Sequence, residues 1–165
     1  MAAAPKIELR DAAPDDRAFL YRVYASTREE ELAAVPWSGE QKEAFIRMQF
    51  EAQDRYYREH YADASFQVVL VDGEAAGRLY VARWPDEIRI VDIALLPEHR
   101  GRGIGTALLE ALLAEADAAG RPVSIHVEQY NPARRLYARL GFREVEDRGV
   151  YVFMTRAPAQ VNTAS

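Results

Sequence analysis

Arg100-Gly101-Arg102-Gly103-Ile104-Gly105-Thr106 sets three alternate glycines and two arginines between an apolar run and an amphipathic segment. Upstream, Ile90–Leu96 is apolar apart from Asp92 and reads as a largely buried strand. Downstream, Ile104, Leu108, Leu109, Leu112 and Leu113 recur at helical spacing until Gly120, the predicted C-terminal cap. A glycine-rich turn from strand to helix leaves backbone N–H groups unpaired, and the helix dipole adds roughly +0.5 of an elementary charge beside them. That is the chemistry of an anion site. The spacing predicts a phosphate-bearing cofactor held by backbone amides from Gly101 to Thr106, with a charge-assisted contact from Arg100 or Arg102.

The details of the loop decide which phosphate ligand. A Walker loop would end in Gly-Lys-Ser/Thr, and this one ends Gly105-Thr106 without a lysine. A dinucleotide fingerprint needs G-x-G-x-x-G and an acidic ribose ligand further on, where Arg121-Pro122-Val123 stands instead. What remains, Arg100-x-x-Gly103-x-Gly105, resembles the Q/R-x-x-G-x-G/A pattern of the GNAT superfamily of acyl-CoA-dependent N-acetyltransferases. The resemblance continues through Asn131-Pro132-Ala133 and Leu136-Tyr137-Ala138-Arg139-Leu140-Gly141-Phe142, so the two blocks cover residues 88–156.

The resemblance implies a mixed α+β fold, a central and mostly antiparallel sheet with one splayed parallel strand pair, flanked by helices. It implies acetyl-CoA as co-substrate, its pyrophosphate on the loop that includes Ile104 and Gly105. Its pantetheine arm would pair with the edge at Leu95 and Leu96 much as an added strand would. Asn131 would contact that arm, and a backbone N–H near Leu95 or Leu96 would polarise the thioester carbonyl. Tyr137 would be the general acid and Asp92 a candidate base, directly or through water.

Each residue also has a plainer reading. By spacing alone Tyr137 belongs to an apolar stripe with Leu136 and Leu140. As an acid, a phenol of pKa ~10 suits a thiolate whose conjugate acid lies near ~8.5. Asn131 before Pro132 is a helix N-cap with proline at the first helical position. Asp92, if buried without a partner, would cost several kcal/mol, so it is paired, solvated by a cleft or shifted in pKa. Glu128 is a weaker candidate base, and His126 reads as a structural histidine. His60, His99 and His126 show no ligand spacing, so no metal is expected. With no cysteine and no G-x-S-x-G elbow, the chemistry expected is direct attack in a ternary complex. Glu30 and Glu31, with Glu29 and Trp37, could draw a cationic amine under an aromatic wall; the alternative is a solvated acidic turn with a packing tryptophan. Tyr56, Tyr57 and Tyr61 line either a cleft or a homodimer contact.

These residues must be positioned by an alternation of elements. Ile7–Arg10 reads as a strand, followed by a helix from Asp15-Asp16 through Tyr24, with Glu29–Glu31 and Pro36-Trp37 as interruptions. A second helix is predicted over 38–61, opened by a Ser38/Gln41 capping box, with Phe45, Met48, Gln49, Ala52 and Tyr56 stacked on one of its faces. Phe66–Val71, the Asp72-Gly73 turn, Ala75–Trp84 and Glu87–Leu96 form a predicted antiparallel meander. A helix over 104–119 then carries the chain to Val123–Gln129, parallel to the preceding strand. A short helix at 132–140 ends at Gly141, and Phe142–Glu146 with Val150–Thr155 make a hairpin around Arg148-Gly149. One domain is expected over 1–156, with a disordered tail at 157–165.

The 165 residues are 49% hydrophobic and 28% charged, ordinary for a soluble globular protein. A net charge of −5 argues against nucleic acid as the main partner. No apolar run nears the ~20 residues of a membrane span, and the first residues lack a signal-peptide core, so a cytoplasmic protein is expected. The expected function is acetyl transfer from acetyl-CoA to a primary amine of a small molecule. The alternatives are acetylation of a protein lysine or N-terminus, and a sensor that binds acyl-CoA without turnover.

Overall fold

The computed structural model describes residues 4–159. Along the chain run β1 (Ile7–Asp11), a 3-10 turn (Pro14–Asp16), α1 (Arg17–Ala33), α2 (Gly39–His60), β2 (Ser65–Val71), β3 (Glu74–Arg83) and β4 (Ile88–Leu95). A second 3-10 turn (Pro97–His99), α3 (Ile104–Ala119), β5 (Val123–Glu128), α4 (Arg134–Arg139), β6 (Arg143–Arg148) and β7 (Tyr151–Arg156) follow. The strand order is β1-β2-β3-β4-β5-β7-β6. The β4–β5 pair is parallel, Ile88↔Val123 to Ile90↔Ile125, and β5–β7 and β6–β7 are antiparallel. This is the mixed, mostly antiparallel α+β architecture expected. Two compact units share the chain: residues up to Tyr80 with Asp92–Arg102, and Val81–Val91 with residues from Gly103 onward.

In the first unit, β1 pairs antiparallel with β2 from Ile7↔Val71 to Asp11↔Gln67. Asp72 (φ 51°) and Gly73 (φ 82°) both take positive φ, the backbone a two-residue hairpin demands and the reason for Asp-Gly there. The α1 helix runs on through Glu29, Glu30 and Glu31 to Ala33, so these glutamates are not the expected interruption. Glutamate is a good helix former, and buried Leu32 anchors the last turn. The break comes at Val35, which precedes Pro36 and is disfavoured in helix for that reason.

The Ser38 hydroxyl caps α2 by accepting from the Gln41 N–H, and the Gln41 side chain returns the bond to Ser38 N–H at 2.9 Å. The buried side of α2 is not centred on the stripe from Phe45 to Tyr56. Met48, Ala52 and Tyr56 are exposed, whereas Phe50 joins Leu20, Tyr24 and Val68 in the core, with Ile46 packed against them. Phe50, Gln53 and Tyr57 repeat at helical spacing as well as the exposed set does, and the strands select between the two stripes.

In the second unit, the predicted stripe of α3 is the buried one: Ile104, Leu108, Leu109, Leu112, Leu113 and Ala116. Gly120, at φ 66°, caps it with its N–H on the Ala116 and Asp117 carbonyls. Along β5, Val123, Ile125 and Val127 are buried. The exposed edge strand β6 is charged throughout except for Val145 and carries an irregularity between Glu144 and Glu146, both features that blunt edge-to-edge association. Of the expected tail, residues 160–165 lie outside the described residues, while the Ala159 N–H donates to Asp117 at 2.8 Å.

Candidate active site

The segment Gly101–Thr106 joins β4 to α3 through a run of backbone amides left without backbone acceptors. Gly101 (φ 72°) and Gly103 (φ 77°) are left-handed, and Gly103 is the residue that opens α3. No side chain caps this helix, in contrast to the closed capping box of α2. Among the described residues, none of the six backbone N–H groups from Gly101 to Thr106 finds a backbone acceptor; the ladder starts at Ala107 N–H to Gly103 O, 3.0 Å. A Cβ built on Gly101 or Gly103 would meet nothing within 4 Å, so packing is not what excludes side chains there. Backbone conformation excludes them, and the same conformation leaves the amides open to an anionic ligand.

The two arginines of the loop bond to neighbouring protein groups. Arg100 Nε donates to the Leu95 carbonyl at 3.0 Å, and its terminal nitrogen reaches Ser26 Oγ at 3.4 Å. Arg102 reaches His99 Nδ1 at 3.4 Å. At the end of β4 the Leu96 N–H donates to Ala76 O at 2.8 Å. Of the two amides expected to polarise a carbonyl, that of Leu96 is therefore committed to the sheet, and the Leu95 amide remains as the candidate.

Asp92, on β4, is a fully engaged carboxylate. Its Oδ2 accepts from Arg78 Nη2 at 2.8 Å and from the Tyr57 hydroxyl at 2.9 Å, and its Oδ1 accepts from Arg78 Nε at 3.3 Å. Arg78, only 3% exposed, also donates to Gln53 Oε1 at 2.9 Å. Burial opposes the Arg78 charge, and the adjacent Asp92 carboxylate, with Tyr80 and Tyr57, outweighs it, leaving the guanidinium pKa above its ordinary value. The Tyr80 hydroxyl, buried beside this cluster, has no hydrogen-bond partner among the described residues, and its burial pushes the phenol pKa up. Of the three states open to Asp92 in the sequence, the paired one is observed. Sequence reasoning passed over Arg78, Gln53 and Tyr80, and offered Tyr57 only as a cleft or dimer residue. The signal was present: Arg78 is the one charged residue between Ala75 and Ala82, as Asp92 is between Ile90 and Leu96, and consecutive strands of a meander bring such residues together.

In the second unit, Tyr137 is 4% exposed, its ring edge-to-face with Phe142 at 5.6 Å. Its carbonyl accepts from both Leu140 and Phe142 N–H groups, so the chain folds back on itself at Gly141 (φ 99°) around the tyrosine. Asn131 Oδ1 accepts from Ala133 N–H at 2.9 Å, and its carbonyl accepts from Arg134 N–H at 3.1 Å. The helix expected from 132 therefore begins at Arg134, and Asn131 caps the tight turn that leads into it. Glu128 is half-buried at the end of β5. His126 Nε2 lies 2.6 Å from Arg148 Nη1 and its ring packs on Phe153, which makes it a structural histidine.

The residues expected at the acceptor end lie on or after α1. Glu30 is exposed, and Glu31 pairs with Arg28 at 3.1 Å. Trp37, 43% exposed, sets its ring against Phe45 at 5.3 Å. No cluster of His, Cys, Asp and Glu suited to a metal ion occurs among the described residues, and none of their helices is long and apolar enough to cross a membrane.

Known proteins share this fold. A PaiA N-acetyltransferase from Thermoplasma acidophilum, solved in complex with coenzyme A, superposes with a TM-score of 0.70 over 92% of this chain and 99% of its own, at 20% identity. An N-alpha-acetyltransferase of Sulfurisphaera tokodaii is 32% identical over 99 residues, 51% of this chain and 59% of that protein. The [ribosomal protein bS18]-alanine N-acetyltransferase of Salmonella typhimurium is 32% identical over 130 residues, 74% of this chain and 75% of that one. A mycothiol acetyltransferase of Clavibacter sepedonicus is 42% identical over 67 residues, 41% of this chain. The chain spans 59% and 21% of the first and last of these relatives. The model of the acetyltransferase (GNAT) family matches residues 30–142, well over half of the chain. The protein is a member of the GNAT acetyltransferase family.

Proposed function

We propose that this protein transfers an acetyl group from acetyl-CoA to a primary amine by direct attack. The observation that carries the reading is the uncapped amide run at Gly101–Thr106, a surface for the pyrophosphate that the helix dipole reinforces. Acetyl-CoA, when bound, supplies the acetyl thioester. Leu95 and Leu96 offer the strand edge for the pantetheine amides, and Asn131 would contribute a polar side chain to the same ligand. Tyr137, its ring fixed by Phe142, gives its hydroxyl proton to the departing sulfur. Asp92 is given the role of holding Arg78 and Tyr57, from which it accepts three hydrogen bonds. The acceptor ammonium loses one proton to solvent water before attack, and the second, lost from nitrogen as the amide forms, restores the Tyr137 hydroxyl through solvent. No cysteine is present to form an acyl-enzyme.

A small-molecule amine is the first acceptor class, supported by the likeness to a mycothiol acetyltransferase. A protein N-terminal amine is the second, supported by the relative named for ribosomal protein alanine acetylation, which matches 74% of this chain. Thiol release from acetyl-CoA, measured with a polyamine, an aminosugar and an alanine-terminated peptide, tests the reading and separates the two. Turnover with one class, lost by about 10²–10⁴ in Tyr137→Phe with CoA binding retained, is the expected outcome. Unchanged turnover in Tyr137→Phe would overturn the role given to that residue. Binding without turnover on every acceptor would favour a sensor.

A further inference from the structure

Gly77 is buried on β3 and its φ is not positive, so backbone conformation alone does not call for glycine. Space does. A Cβ built there would lie 2.2 Å from the Ala94 carbonyl oxygen, 2.9 Å from Leu95 Cδ2 and 3.0 Å from Leu95 Cα. The closest of these is a backbone atom, so a side chain at Gly77 would have to push the end of β4 away. Leu95 and Leu96, which follows it, are held by further contacts. Arg100 Nε donates to Leu95 O at 3.0 Å, its guanidinium steadied by Ser26 Oγ at 3.4 Å, and Ser26 Oγ itself donates to Val23 O at 2.7 Å. The Leu96 N–H is fixed on Ala76 O, the residue before Gly77.

We infer that Gly77 and Arg100 are positioning residues that set the backbone of Leu95 and Leu96 for the pantetheine arm. The inference rests on the acetyl-CoA reading above and assigns Arg100 to the strand edge rather than to phosphate. A hydrogen-bonding edge works only where its N–H and C=O groups stand in register with the amides they receive, and displacing the edge by an ångström forfeits those bonds. Gly77 fixes how closely β3 approaches that edge. Arg100 occupies the Leu95 carbonyl and so fixes the plane of the following peptide.

Two ligands separate this role from phosphate binding: CoA, and adenosine 3′-phosphate 5′-diphosphate, which has the whole nucleotide but no pantetheine. Calorimetric titration of Gly77→Ala and Arg100→Gln with both is the test. The expected result is an affinity for CoA weaker by about tenfold, the equivalent of one lost hydrogen bond, with the nucleotide bound as in the wild type. Equal weakening of both ligands in Arg100→Gln would make Arg100 a phosphate ligand and overturn its part. Unchanged CoA affinity in a folded Gly77→Ala would overturn the part of Gly77. If Gly77→Ala does not fold, Gly77→Ser fails with it, and Arg100→Gln alone decides whether the Leu95 edge is set from outside the strand. Absence of CoA binding to the wild type overturns the acetyl-CoA reading itself, a failure distinct from the others.

Discussion

Arg78 and Asp92 meet at 2.8 Å across β3 and β4, the guanidinium 3% exposed and the carboxylate 14%. An ion pair this deep recovers its desolvation only while both partners are present, since removal of one leaves the other charged and unpaired. Asp92→Ala is therefore expected to destabilise the fold by about 3–5 kcal/mol in chemical denaturation, and the pair replacement Arg78→Met with Asp92→Leu by much less. Were Asp92 also the general base, the folded fraction of Asp92→Asn would bind CoA but lose turnover.

Tyr80 adds a second test of the same cluster. Its hydroxyl is buried without a hydrogen-bond partner among the described residues, at a cost of about 1–3 kcal/mol for such a group. Tyr80→Phe removes that cost and keeps the ring that packs edge-to-face with Phe66 at 4.9 Å. The variant is expected to melt at or above the wild-type temperature. A clear fall in Tm would show that the hydroxyl supports the Arg78 charge instead.

His126 predicts a pH dependence. Burial, then the nearby charges of Arg89 and Arg148, hold its pKa below the ordinary value of 6.5. Arg148 donates to Nε2, which requires the neutral ring with its proton on Nδ1. Between the folded and unfolded values the unfolded chain binds more protons, so stability rises with pH through that window and is lost as pH falls below 6.5. Tm measured from pH 7.5 downward should drop less steeply in His126→Gln than in the wild type; parallel curves would exclude this origin.

What could be read from the sequence was local. The Asp72-Gly73 turn, the Ser38/Gln41 cap, the stripe of α3 and the glycine loop before it each rest on residues within one turn of one another. What could not be read depended on a second element. The α2 sequence offers two helical stripes, and only packing against Leu20, Tyr24 and Val68 favours Phe50 over Met48. Asp92 looked like a solitary carboxylate because its partner, Arg78, lies 14 residues earlier and reaches it only through strand pairing. The loop arginines stand beside the glycines in sequence, and their reach onto Leu95 O and His99 could not be read from spacing. Glu29–Glu31 read as a turn from charge alone, although buried Leu32 keeps them helical.

Calorimetric titration with CoA, comparing the wild type with Gly103→Glu, tests the central claim most directly. Glutamate at Gly103 would be strained at φ 77° and would set a negative charge among the open amides. Binding to the wild type that disappears in Gly103→Glu, with the fold retained by circular dichroism, is the predicted result. Equal binding by both proteins, or none by the wild type, would contradict it.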